Sequence, residues 1–157
     1  MTFLKKCKLL ILADILLFVI LTIGEIALLR ADDLSDLEAL TEAIYFEARG
    51  EPILGQIAVG MVIMNRVASD RYPDTVAGVV HQGTQFSYYS DGQLEIYDDV
   101  KAYLQAHDIA KKLLNGELTV IIDAMHYYNP DLASPRWAKK MKIEAIIGNH
   151  VFLIEKF

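Results

Sequence analysis

The chain has 157 residues, 54% of them hydrophobic, and a formal net charge of −6, which is length enough for one domain with a sizeable core. Its first thirty residues set Lys5, Lys6, Lys8 and Arg30 against Asp14 and Glu25, so the remaining 127 carry −8. An acidic domain argues against nucleic acid as a partner, because that binding rests on neutralising phosphates. The lone Cys7 excludes a disulfide framework or a cysteine metal site within one chain.

In chain order, "MTFLKKCK" followed by "LLILADILLFVILTIGEIALL" has the basic start and apolar run of a secretory signal or signal anchor. Asp14 and Glu25 leave an uncharged centre, Ile15 to Gly24, short of the ~20 residues that span a bilayer. The stretch from Leu9 to Leu29 spans only if both charges reach the interfaces. The expectation is an uncleaved anchor over residues 1–31 with the domain 32–157 outside. A cleaved signal that releases a secreted form is the alternative.

"SDLE" from Ser35 to Glu38 has the form of a capping box. It predicts a first helix running to about Arg49, where Gly50 stops it. Pro52 suits the first turn of a second helix, "ILGQIAVGMVIMNRV", apolar nearly all round and therefore central and buried. Tyr72 to Thr75 reads as a turn before a short helix from Val76 to His81. "GTQFSYYSDG" predicts a hairpin or ordered loop. Asp98 is expected to cap an amphipathic helix that Asn115-Gly116 closes. The tail mixes short strands around a Pro-rich loop, with "HVFLI" the best strand. The sum is an α+β class dominated by helices.

Leu37, Leu40, Ile44 and Glu47 are spaced by three, four and three, so a glutamate continues the buried stripe of the first helix. Apolar surroundings and the carbonyl end of a helix both disfavour its charged form. That suits a general acid working near neutrality. An ordinary ion pair with Arg49 or Arg66 explains the same position. Glu51 is a candidate second carboxylate or an anion near the next helix's positive end, while Glu38 and Glu42 face solvent. Asp91 and Asp131 sit in turn motifs that account for them. His126 and His150 lie in polar-aromatic sequence without metal-ligand spacing, so no metal and no cofactor are expected. Tyr88, Tyr89, Tyr127, Tyr128 and Trp137, with Gln85, Asn129 and Asn149, suit a neutral polyol better than a phosphate. Arg136, Lys139, Lys140 and Lys142 form the one dense basic cluster, which reads as a solvated face.

"EARGEPILGQIAVGMVIMNRV", "YPDTVAGVVHQGTQFSYYSDG", "HYYNPDLASPRWA" and "IGNHVF" occur in order. Together they closely resemble the SleB-type cell wall hydrolase family, over about residues 36 to 153. The resemblance implies a lysozyme-like catalytic domain that cleaves peptidoglycan glycan strands as a lytic transglycosylase. It implies Glu47 as the catalytic acid, with Gln85, Phe86, Ser87, His126, Tyr128, Asn129 and His150 in the cleft and Asn65 and Arg66 in a supporting element. The chain departs from the family pattern at Gly60, where alanine is usual, and at Tyr88, where many members carry tryptophan. No separate peptidoglycan-binding domain is recognised in the sequence.

Three readings compete. One is a monomeric glycan-cleaving enzyme that uses Glu47, in phage lysis as an endolysin or in a bacterium's own wall remodelling. Another is an N-acetylmuramoyl-L-alanine amidase with zinc on His126 and His150. The last is an inactive wall-binding module, against which the intact Glu47 counts.

Overall fold

The structure, a computed structural model, describes residues 3–82 and 97–156, with only the backbone of 3–14 and 26–34. The predicted hairpin or loop, with Gln85, Phe86, Ser87, Tyr88, Tyr89 and Asp91, lies outside the described residues. Contacts divide the chain into two units, Met1–Ser35 and Asp36–Phe157.

Helix α1 covers Phe3–Ala48. Ser35 therefore falls inside it and caps nothing, because no glycine or proline between Glu25 and Ala48 breaks the helix. In the first unit the apolar side chains of Ile15 to Leu21 are exposed. Among the described residues no helix is long and apolar enough to cross a membrane, so the expected transmembrane signal anchor is not supported. The uncharged run from Ile15 to Gly24 reaches only ~15 Å as a helix, about half the hydrocarbon thickness.

In the second unit, Leu40 and Ile44 of α1 are fully buried. They pack with α2 (Ile53–Val67), α3 (Val76–Val80) and α4 (Val100–Leu114) through Ile57, Ile63, Val79, Ile109 and Leu113. The opposite face of α2 gives Ala58, Val59 and Val62 to a second cluster with Ile122, Ala124 and Phe152. Its all-round apolar sequence thus serves two cores at once. Gly60 belongs to this crowding, since a Cβ there would lie 2.4 Å from Leu113 Cδ1.

Thr75 caps α3 by accepting from Gly78 N at 3.1 Å. Pro52 is the N-cap of α2 and stands one residue before its first turn. The cap of α4 is Asp99, which accepts from Ala102 N at 2.9 Å. Asp98, the residue expected there, instead accepts from the Tyr45 hydroxyl at 2.9 Å and pairs with Arg49. Gly116, at φ +70°, closes α4 in the left-handed conformation that glycine tolerates.

Three antiparallel strands follow, β1 (His126–Tyr128), β2 (Met141–Ile147) and β3 (His150–Glu155), in the order β1-β3-β2. A five-residue 3-10 helix, Arg136–Lys140, precedes β2. A bulge between Ile143 and Ala145 interrupts the β2–β3 register. With four described helices and one small sheet, the domain is α+β and dominated by helices.

The end of α2 holds the segment that leads into β1. Asn65 Nδ2 donates to Ile122 O at 2.9 Å and to Ala124 O at 3.1 Å. Asn65→Ala should cost about 1–2 kcal/mol by stranding both carbonyls. Urea denaturation measures this, and an unchanged midpoint would show that the segment holds itself.

Candidate active site

Glu47 is in the last turn of α1, one residue before its end at Ala48. Arg49 N closes that turn on Tyr45 O at 3.1 Å. The periodicity that buries Leu40 and Ile44 carries Glu47 to the margin of the core, where it is half-buried on the wall of a cleft of about 690 Å³. Described residues lining the cleft include Arg66 and Tyr72 from around the end of α2, and His126, Tyr127 and Tyr128 from β1. Asn129, Leu132 and Ala133 come from the following turn, Trp137 from the 3-10 helix and His150 from β3. Among them Glu47 is the only carboxylate.

Burial pushes the Glu47 carboxyl above its ordinary range, against two opposing influences. The Tyr127 hydroxyl donates to Glu47 Oε2 at 3.2 Å, and the positive charge of Arg66 also favours the ionised form. Arg49 is engaged elsewhere, with Tyr45 and Asp98. Arg66 is only 7% exposed, and its Nε donates to Met125 O at 2.9 Å. Its guanidinium therefore ties the strand entry to α2 and sets the field at Glu47 together.

Strand alternation sorts the aromatic residues. Tyr127 lies opposite Phe152, and its ring is 5.2 Å from that of His150. His126 and Tyr128 turn the other way, with rings 5.6 Å and 6.0 Å from Trp137. Asn129 builds its own turn, its side-chain oxygen accepting from Asp131 N at 2.9 Å. Burial lowers the pKa of both His126 and His150, in each case as the largest influence. Nδ1 of His150 and Nε2 of His126 are buried without a hydrogen-bond partner. Among the described residues no three His, Cys, Asp or Glu side chains gather as a metal site would require.

Glu51, the candidate second carboxylate, is not among the described residues lining the cleft. Its oxygens accept from Asn149 N at 2.8 Å and Asn149 Nδ2 at 3.1 Å. It supports the β2–β3 turn, where Gly148 sits at φ +59° and a Cβ would fall 2.0 Å from Glu51 Oε2. Of the residues singled out in the sequence, Glu47, His126, Tyr128, Asn129, Trp137 and His150 meet in one cleft. Tyr127 and Arg66 carry more of its chemistry than the sequence indicated. Period-two alternation within "HYY" was the available signal for Tyr127, because it turns the middle residue toward the core.

The cell wall hydrolase family model matches residues 50–153, a span that begins three residues after Glu47. The spore cortex-lytic enzyme of Bacillus cereus is 36% identical over 121 residues, covering 75% of this chain and 44% of that protein. The chain thus spans less than half the length of this curated relative. Among solved structures, the catalytic domain of the germination-specific lytic transglycosylase SleB from Bacillus anthracis is similar with a TM-score of 0.65 and 35% identity. That likeness covers 76% of this chain and 94% of the other. The catalytic domain of the Bacillus cereus SleB protein is similar with a TM-score of 0.62 and 36% identity, over 77% and 91% of the two chains. These relatives are spore enzymes, and a phage endolysin finds no support among them. With the family model matched over more than half of its length, the chain belongs to the cell wall hydrolase family.

Proposed function

We propose that this protein cleaves the glycan strand of peptidoglycan between N-acetylmuramic acid and N-acetylglucosamine, as a lytic transglycosylase with Glu47 as its one catalytic carboxylate. The observation that carries this reading is a carboxylate of raised pKa standing alone among the described residues of a cleft lined with aromatic and amide groups. Glycoside cleavage commonly uses two carboxylates flanking the scissile bond. A lone acid suffices when the sugar supplies its own nucleophile. Glu47 gives its proton to the bridging oxygen as the C1–O bond breaks. The C6 hydroxyl oxygen of the same muramic residue then bonds to C1, and its proton returns to Glu47. No water is consumed, and the product ends in 1,6-anhydro-muramic acid.

Tyr127 fits a positioning role, since its hydroxyl holds one oxygen of Glu47 and leaves the other for the substrate. Trp137, Tyr128, Asn129, His126 and His150 fit sugar contacts on the surrounding walls. Gln85, Phe86, Ser87 and Tyr88 belong to the same proposal through the resemblance of their motif, as does the lysozyme-like character of the domain. Such an enzyme would work facing the cell wall. Similarity to a spore cortex-lytic enzyme and to a germination-specific lytic transglycosylase favours glycan cleavage. The amidase alternative would need zinc on His126 and His150, and the described residues assemble no third ligand for it.

Mass spectrometry of digested peptidoglycan tests the proposal. Anhydro-muramic ends, lighter by one water than hydrolytic reducing ends, are the expected product. Reducing muramic ends would replace transglycosylation by hydrolysis, released stem peptides would install the amidase, and no product at all would leave a wall-binding module.

A further inference from the structure

The basic cluster takes on a direction once it is placed in the fold. Arg136, Lys139, Lys140 and Lys142 are all exposed, and none has an ion-pair partner among the described residues. Between His126 and Ile143 the only acid is Asp131, in a chain whose net charge is −6. Cations gathered this densely in an acidic protein are held apart from the carboxylates that would otherwise neutralise them. Three of the four occupy the 3-10 helix Arg136–Lys140. At three residues per turn, Lys140 stands over Trp137 and Lys139 over Arg136, about 6 Å along the axis. Trp137 lines the cleft and faces the rings of His126 and Tyr128. Lys140 therefore stands one turn of this helix from a residue of the cleft wall, and Arg136 precedes that residue directly, although none of the three cations is itself among the described residues lining the cleft. Lys142 is the second residue of β2, with Ile154 as its register partner.

Resting on the glycan-cleaving reading, we propose that Arg136, Lys139 and Lys140 form an anion-binding rim for the carboxylates of the peptide stems carried by the strand in the cleft. The sugars of that strand are neutral, and they suit the aromatic and amide floor. Its negative charge is carried by the stems, which hang from the muramic residues and emerge beside the floor. A cationic rim adjoining Trp137 meets that charge while leaving the floor to the neutral sugars. The three cations are exposed and water-screened, so each adds only a few-fold to affinity, and salt weakens them over a Debye length of about 10 Å at 0.1 M.

Trp137 is the only tryptophan in the chain, so its fluorescence reports cleft occupancy directly. The test titrates the full-length Glu47→Gln protein, which binds without turnover, with soluble glycan oligomers that keep their stems or have been stripped of them. Lys139→Glu/Lys140→Glu in that background should bind stemmed oligomers about tenfold more weakly at low salt. The gap should close in ~1 M salt, where the Debye length is ~3 Å, and stripped oligomers should bind both proteins alike. Lys139→Gln/Lys140→Gln should lose about threefold, and Lys101→Glu/Lys111→Glu, the same charge change on exposed positions of α4, should lose nothing. Equal losses on stemmed and stripped oligomers would overturn the rim, as would equal losses from the α4 pair or no loss at all. Because no bond is broken in this assay, an error about the cleavage chemistry would appear only in the mass spectrum and leave the binding result standing.

Discussion

Glu47→Gln should lower activity on purified peptidoglycan by at least ~10²-fold while leaving the fold intact, the low end for a positioned general acid. The substitution keeps the size of the side chain and can still accept from the Tyr127 hydroxyl, but it has no proton to give. No other carboxylate among the described cleft residues stands ready to substitute. Glu51→Gln is the control. Its carboxylate holds the Asn149 turn, so it should lose stability before it loses chemistry.

The pH dependence follows from the direction of the shift. Burial raises the folded pKa of Glu47 above the 4.5 expected of an unfolded chain, so the folded protein binds this proton more tightly. The stability that the group contributes is complete below pH 4.5 and is lost as pH rises through the raised pKa. Thermal denaturation should therefore show Glu47→Gln gaining on the natural protein from acid toward neutral pH. Activity should fall on the alkaline side through the same pKa. Tyr127→Phe removes an influence that lowers it and should move that alkaline limb upward. A folded Glu47→Gln protein with near-full activity would remove Glu47 from the mechanism.

Arg66→Ala should destabilise the protein by about 3 kcal/mol, the largest stability effect expected here. Its loss strands the Met125 carbonyl, which accepts from Arg66 Nε at 2.9 Å, and empties the space in front of Tyr72, whose ring centre is 5.5 Å from the guanidinium. One term opposes the loss. A charge held against desolvation is released from that penalty, as the lowered pKa of Arg66 indicates. Arg66→Met, which refills the volume without the charge, should accordingly lose less than half as much. Both variants remove a cation that favours ionised Glu47, so both should raise the pKa seen in the activity profile, whereas Arg66→Lys should hold it near its natural position. Denaturant midpoints and pH–rate profiles measure the two effects separately. An Arg66→Ala midpoint within ~0.5 kcal/mol of the natural protein would place the support of the strand entry elsewhere, most directly on Asn65.

Features set by neighbours a few residues apart were legible in the sequence. The spacing of Leu40, Ile44 and Glu47 brought a carboxylate to the edge of the core, because helical periodicity fixes the facing of a residue once its neighbours are buried. The all-round apolar α2, the short helix that begins at Val76 and the strand at His150 followed from equally local rules. Where local rules offered near-equivalent choices, they chose wrongly. Ser35 had the form of a cap inside an unbroken helix, and Asp98 rather than its neighbour Asp99 was assigned to α4. Either aspartate can cap in isolation, and the tie was broken by Tyr45 and Arg49, which lie 53 and 49 positions away in sequence.

By itself the sequence determined the helix-dominated α+β class, the acid at the end of α1 and the aromatic character of the later segments. Only the tertiary structure decided what each polar group faces. Tyr127 reaches Glu47 across 80 positions of sequence, and Glu51 reaches Asn149 across 98. The fold likewise set Trp137, and with it the 3-10 helix that carries three of the cations, against the rings of His126 and Tyr128. The physical reason is one of range. Periodicity and capping are settled within a turn or two of chain, whereas the pKa of a carboxyl is settled by the solvent it has lost and the charges around it, which distant segments supply.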